Sequence, residues 1–164
     1  MIIEVYALSH LKKISEKTAI NSDSKVCHVV SNHAINNKPI ISPLKNNSYY
    51  KGRQEYQFTV GTDKDFESWR SGVCSIVHEK SLKEFRQTAN EAAALYPLLA
   101  CPPVDTTFGP EICERLYGEL VHSWKYIIQL QKDDFEQVMM FSEQYLKWTK
   151  CCYLGRHNGV VELF

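Results

Sequence analysis

The chain has 164 residues, 44% of them hydrophobic and 12% aromatic, with 19 basic residues against 19 acidic ones. That length suits a single domain over residues 1–164, which would bury roughly 70% of the surface it exposes when unfolded and needs no metal or disulfide staple. Zero net charge argues against a dedicated nucleic-acid binder, whose domain is usually basic. No stretch approaches the roughly 20 consecutive apolar residues of a membrane span.

Met1–Leu8 is apolar but short, and Glu4 interrupts it. It lacks the basic start and long apolar run of a signal peptide and reads as a first strand with Ile3, Val5 and Ala7 on one face. Ser9 is placed to cap a short helix running through Ile14. Ser31–Arg53 holds five asparagines and two prolines and reads as a long loop. The charge is uneven: residues 1–53 carry eight Lys or Arg against three acids, whereas residues 81–164 carry eight against eleven. Strand candidates are Lys25–Val30, Gln54–Val60 with Tyr56, Phe58 and Val60 alternating, and Gly72–His78. Thr62 caps a short helix carrying Phe66 and Trp69.

Ser81 and Glu84 form a capping box that opens a helix with Leu82, Phe85, Ala89, Ala93 and Tyr96 at helical spacing, broken by Pro97. A second helix starts at Pro110, with Ile112, Leu116, Leu120, Trp124 and Ile127 or Ile128 as its stripe. Tyr117 and Val121 widen that stripe, which marks the helix as central. Asp133 and Glu136 repeat the capping pattern for a third helix, whose face is Phe135, Val138, Met139, Tyr145, Trp148 and Cys152. Gly155 is placed to end it in a left-handed turn. The short link Gln131–Asp134 makes an antiparallel hairpin of the last two helices. Arg156–Gly159 then turns the chain into a final strand, Val160–Phe164. The expected fold is α+β: a mixed or antiparallel sheet from the N-terminal half plus a C-terminal strand, packed against a C-terminal layer of three helices.

The six cysteines, Cys27, Cys74, Cys101, Cys113, Cys151 and Cys152, lie mostly inside apolar runs, where a free thiol behaves as a small hydrophobe. Without a signal peptide they read as reduced core thiols of a cytoplasmic protein. Cys74 and His78, on one strand face, would be roughly 13 Å apart and unable to share an ion. Cys151 and Cys152 would diverge by about 100° on a helix, and no Cys-x-x-Cys occurs. Glu119 and His122 make half of a di-iron carboxylate motif whose second copy is absent. No metal centre and no cofactor are therefore expected.

Nucleophilic catalysis needs a base in reach of the nucleophile, and Cys27 and His28 point to opposite faces of a strand. There is no Gly-x-Ser-x-Gly elbow, phosphate-binding glycine loop or His-Glu-x-x-His. The expectation is a non-enzyme, with a small enzyme using a His, Cys or Glu site between sheet and helices as the alternative. A third reading is RNA or DNA binding by the basic-aromatic loop 45–53, in which Tyr49 and Tyr50 stack bases and Lys45, Lys51 and Arg53 hold phosphate. Tyr49, Tyr50, Lys51 and Arg53 suit a protein interface equally well. The acidic surface with Glu111, Glu114 and Glu119, extended by Asp134, Glu136 and Glu143, is a second candidate. The first expectation is thus a binding module that sequesters or occludes a protein partner.

The ending Asp134-Phe135-Glu136, Tyr145-Leu146-Lys147-Trp148 and Asn158-Gly159-Val160-Val161-Glu162-Leu163-Phe164, with its aromatic-rich helical pair, resembles the small stand-alone immunity proteins that bacteria make against their own delivered toxins. The resemblance covers about the last third of the chain. It implies that the partner is a toxin neutralised by occlusion, and it assigns no individual residue.

Overall fold

The computed structural model describes residues 1–21, 26–29, 34–35, 38–39, 48–103, 105–129 and 135–164. In chain order the elements are β1 (Ile2–Ile14), α1 (Glu16–Ile20), β2 (Val26–Val29), β3 (Ala34–Ile35), β4 (Lys38–Pro39), β5 (Ser48–Thr62), α2 (Asp63–His78), α3 (Leu82–Thr88), α4 (Tyr96–Ala100), β6 (Thr106–Phe108), α5 (Pro110–Ile128), α6 (Phe135–Gly155) and β7 (Val160–Leu163). The architecture is α+β.

The main sheet runs β2-β5-β1-β7-β6, and every pair in it is antiparallel. Ile3, Val5 and Ala7 are fully buried on one face of β1. The register places Phe58 opposite Val5 and Tyr56 opposite Ala7, so period-two alternation gives both strands one shared core face. The C-terminal strand β7 pairs with β1 on one side and β6 on the other. On the other face Leu8, Leu11, Tyr50 and Val160 form a smaller core.

Ser9 does not start a helix. It pairs with Arg53 across the ladder, and left-handed His10 (φ 54°) lies in the register shift between Ser9 and Lys12, a conformation one class of bulge uses. The strand runs on to Ile14, and Ser15 caps α1 instead, accepting the Thr18 N–H at 3.2 Å.

Thr62 caps α2 as expected: its hydroxyl accepts the Asp65 N–H at 3.3 Å while Asp65 accepts the Thr62 N–H at 2.7 Å. The helix is not short, however. It continues to His78 because Phe66, Trp69, Val73 and Cys74 recur on one buried face, so Gly72–His78 is helix and not strand. Once the first turn is capped, each further residue adds a hydrogen bond at little cost.

The segment from Ser81 holds two helices where one was expected. The Ser81 cap holds, but α3 ends at Thr88 and Ala89 is extended. Asn90 accepts the Ala92 N–H at 2.9 Å, an Asx turn that competes with continued helix. Pro97 does not break a helix; it lies in the first turn of α4, where a missing N–H costs nothing.

Helix α5 begins at Pro110 as expected. The link 131–134 and the side chain of Glu136 lie outside the described residues, and with them the expected cap. The antiparallel pairing of α5 and α6 is nevertheless visible in the rings of Tyr117 and Tyr153, 5.4 Å apart, and of Trp124 and Tyr145, 5.6 Å apart. Helix α6 ends at Gly155, but the left-handed residue is Asn158 (φ 49°). Gly155 is needed for a different reason: a Cβ there would lie 2.7 Å from Cys113 Sγ, so its absence lets α6 approach α5.

A Cβ on Gly159 would meet the Leu8 carbonyl oxygen at 2.4 Å, and backbone cannot move aside as a side chain can. Gly159→Ala is expected to cost on the order of 2 kcal/mol, read as a lowered urea midpoint. An unchanged midpoint would show that the β7 turn has slack.

Candidate functional site

The inward face of α5 is made by Ile112, Cys113, Leu116, Leu120 and Ile127, and that of α6 by Tyr145, Trp148, Cys151 and Cys152, all of them buried. Two residues expected to join those faces, Val121 and Met139, do not, and of Ile127 or Ile128 it is Ile127 that does. Val121 (51% exposed), Ile128 (62%) and Met139 (54%) point to solvent, as do Leu146 (51%) and Tyr153 (46%). Val121 and Ile128 are seven residues apart on α5, and Met139, Leu146 and Tyr153 are seven apart on α6. That repeat keeps each set on one stripe.

The antiparallel contacts set the two stripes side by side. Tyr117 opposite Tyr153 and Trp124 opposite Tyr145 place Val121 between the rows that hold Tyr153 and Leu146. An apolar seam therefore runs along the outside of the hairpin. At one end Arg156 lies over the rings of Tyr153 (4.1 Å) and Tyr117 (4.7 Å), with exposed Glu114 at 4.0 Å from its Nε. Cation–π contacts of this kind hold a guanidinium in place at low entropic cost. Lys147 and Glu143, 2.6 Å apart, lie on the rim.

The candidate residues fall differently. Tyr49, Tyr50, Lys51 and Arg53 are part of strand β5, with β1 and β2 on either side, so residues 48–53 are not loop. Tyr50 is buried in the small core with Leu8, Leu11 and Val160 and cannot anchor a partner. Tyr49 is half-buried, while Lys51 and Arg53 are exposed. Of the acidic set, Glu111 and Glu114 are exposed beside the seam. Glu119 is engaged within the fold, accepting the Leu95 N–H at 2.6 Å and the Arg115 Nε–H at 2.8 Å. Asp134 and the side chain of Glu136 lie outside the described residues.

Three clusters hold residue types that could support catalysis. Ser9 Oγ is 2.7 Å from His10 Nδ1 and donates to Glu55 at 2.5 Å. Both groups thus converge on the hydroxyl, whereas in a nucleophilic triad the acid orients the His. Cys74 and His78 are one turn apart on α2 and share a helix face, which removes the argument from strand spacing. Yet His78 Nε2 contacts the Ala94 carbonyl at 2.8 Å and its ring packs tilted against Phe85, centroids 4.5 Å apart, while burial raises the Cys74 thiol. The third cluster, Glu67, Arg70 and Arg86, ties helices together through ion pairs and carbonyl contacts. Among the described residues no three His, Cys, Asp or Glu side chains group as metal ligands, and no helix is long and apolar enough to cross a membrane.

Cys74, Cys101, Cys113, Cys151 and Cys152 are free and buried; the Cys27 side chain lies outside the described residues. Burial pushes the Cys151 thiol up to about 12 and raises the other four. A thiol reacts as thiolate, so these five should resist a thiol-specific disulfide reagent at pH 8 until urea unfolds the chain. Fast labelling of any of them in the native protein would contradict the buried placement.

No protein-family profile, curated protein or solved structure matches the chain. The α5–α6 seam is the candidate site on its own geometry.

Proposed function

We propose that the chain is a protein-binding module that works by occluding its partner, and that the partner lays an amphipathic helix along the α5–α6 seam. The observation that carries this is the seven-residue spacing of exposed Val121 and Ile128 on one helix and Met139, Leu146 and Tyr153 on the other. A groove between two antiparallel helices with apolar residues at that spacing receives a third helix by its own i, i+3, i+4, i+7 anchors. Contiguous exposed apolar area on a folded chain usually marks such a surface. The Tyr117–Arg156–Tyr153 knot supplies the residue types that dominate binding energy.

The resemblance of the C-terminal third to bacterial immunity proteins makes a toxin the most concrete partner, blocked by occlusion in the cytoplasm. Buried reduced thiols support that compartment.

The test is copurification from the native cells followed by hydrogen exchange on the complex. A partner should be recovered near equal stoichiometry, with protection gained over 117–128 and 139–153. Val121→Asp with Leu146→Asp should reduce affinity by about 100-fold or more, on the order of 3 kcal/mol for two central anchors. Both positions are half-exposed, so the melting temperature should change little. Repeated recovery of a partner-free monomer, or protection elsewhere, would sink the proposal.

A further inference from the structure

A separate recess lies on the other flank of α6, between that helix and α2, with the end of β5 at its rim. Its volume is about 690 Å³, within the range of small-ligand sites. Gly72 and Phe141 determine its shape. A Cβ at Gly72 would lie 2.8 Å from Phe141 Cε2, so the missing side chain lets the Phe141 ring lie directly against α2.

Beside it the Trp69 indole is fixed from several sides. It stacks on Trp148 at 6.0 Å and on Phe66 at 6.3 Å, and its Nε1–H donates to the Phe141 carbonyl at 3.4 Å. An aromatic wall held this way is preorganised: a flat ligand binding against it orders little that is not already ordered.

Three further features give the recess chemical direction. Gln144 lines it, and its Nε2 is shielded from solvent with no hydrogen-bond partner among the described residues. A sheltered donor of that kind is costly to leave unmet. Asp65 lies at the β5 end, and the Thr62 hydroxyl and N–H that it accepts hold its carboxyl below the usual range. Among the described lining residues no Lys, Arg or His offsets it.

We infer that this recess binds a small aromatic cation with an oxygen acceptor next to its positive charge. The ring lies against Phe141 and the edge of Trp69, which is 7% exposed, the acceptor oxygen takes the Gln144 N–H, and the ammonium faces Asp65. Gln144 and Asp65 fall at the same end because Trp69 contacts Phe141 and Tyr145 while Phe66 contacts Trp148, which runs α2 and α6 in opposite directions. Among the described lining residues the one charged side chain an anionic ligand would meet is Asp65.

Three probes with one ring separate the contributions: tryptophanamide (cationic at pH 6), N-acetyltryptophanamide (neutral) and N-acetyltryptophan (anionic), titrated calorimetrically into the full chain. Tryptophanamide is expected to bind about fivefold tighter than the neutral probe, the upper end for a pair with an exposed carboxylate, and the anion weakest. Asp65→Asn keeps an oxygen for the Thr62 N–H and should level cation with neutral probe. Gln144→Leu should weaken tryptophanamide to the level of tryptamine, which has no acceptor. Gly72→Leu should abolish all binding by filling the recess; if it fails to fold because Phe141 cannot move, the other two variants decide. Equal affinity for the three probes, tryptophanamide binding untouched by both Asp65→Asn and Gln144→Leu, or no binding at millimolar probe would overturn the inference. Partner binding at the α5–α6 seam is read independently, so either proposal can fall alone.

Discussion

Trp148→Ala is expected to lower stability by about 4 kcal/mol, a large fraction of what a domain of this size usually has. The indole is fully buried. It stacks on Phe66 at 5.6 Å and Trp69 at 6.0 Å and meets Phe58 edge-on at 5.5 Å. It is therefore where the sheet (through β5), α2 and α6 meet. Removing it opens a cavity among rings that are already wedged against one another, so collapse around the gap is limited. Trp148→Phe keeps much of the area and loses no hydrogen bond, since Nε1 makes none among the described residues; it should cost less than half as much. Urea denaturation followed by far-UV dichroism measures both. Near-equal effects of Ala and Phe would show that the loss is not one of packing volume.

The second large effect concerns a charge. Arg70 has no exposed surface, yet it is a guanidinium. Nη2 is paired with Glu67, and Nη1 donates to the carbonyls of Cys101 at 2.5 Å and Leu98 at 3.4 Å. Its carbon lies 4.1 Å from the Phe66 ring centroid. Glu67 also accepts both terminal nitrogens of Arg86 at 3.0 and 3.1 Å, and Arg86 Nε caps the Leu99 carbonyl at 3.1 Å. One carboxylate thus pairs with two cations, leaving a net positive charge, and the two together satisfy the C-terminal carbonyls of α4, where positive charge is favoured.

Glu67→Ala strands the Arg70 charge in the interior and is expected to cost about 3 kcal/mol, the low end for breaking a buried pair because Glu67 is itself 40% exposed. Arg70→Met removes the charge with its stem and should cost about 1 kcal/mol, chiefly for the unmet carbonyls. Combining the two should cost less than the sum of the singles, exceeding Arg70→Met alone only by the loss of the Arg86 pair. If Arg70→Met is the more damaging change, the carbonyl hydrogen bonds outweigh the ion pair and the reading is reversed.

Local signals were legible. The caps at Thr62 and Ser81 and the proline start of α5 are fulfilled because each needs partners only three or four residues away. The inward stripe of α5 was readable for Ile112, Leu116 and Leu120, since a helix presents what its period dictates. The site was not readable in the same way. Val121 and Tyr153 carry no mark that separates an exposed apolar residue from a buried one, and only the neighbouring helix decides. Tyr50 is the converse case: within Ser48–Lys51 it looks like an exposed anchor, yet Leu8, Leu11 and Val160, distant in the chain, bury it.

The sequence by itself determined the α+β class, the β1 core face formed by Ile3, Val5 and Ala7, and the helical starts at Thr62, Ser81 and Pro110, because propensity, capping and alternation act over a few residues. Tertiary structure alone decided that β7 sits between β1 and β6, that Arg70 lies buried beside Glu67, that Gly155 serves a close approach and not a left-handed turn, and that the α5–α6 seam faces outward. Those outcomes depend on which distant surfaces meet, and burial is a property of the pair in contact, never of one residue read alone.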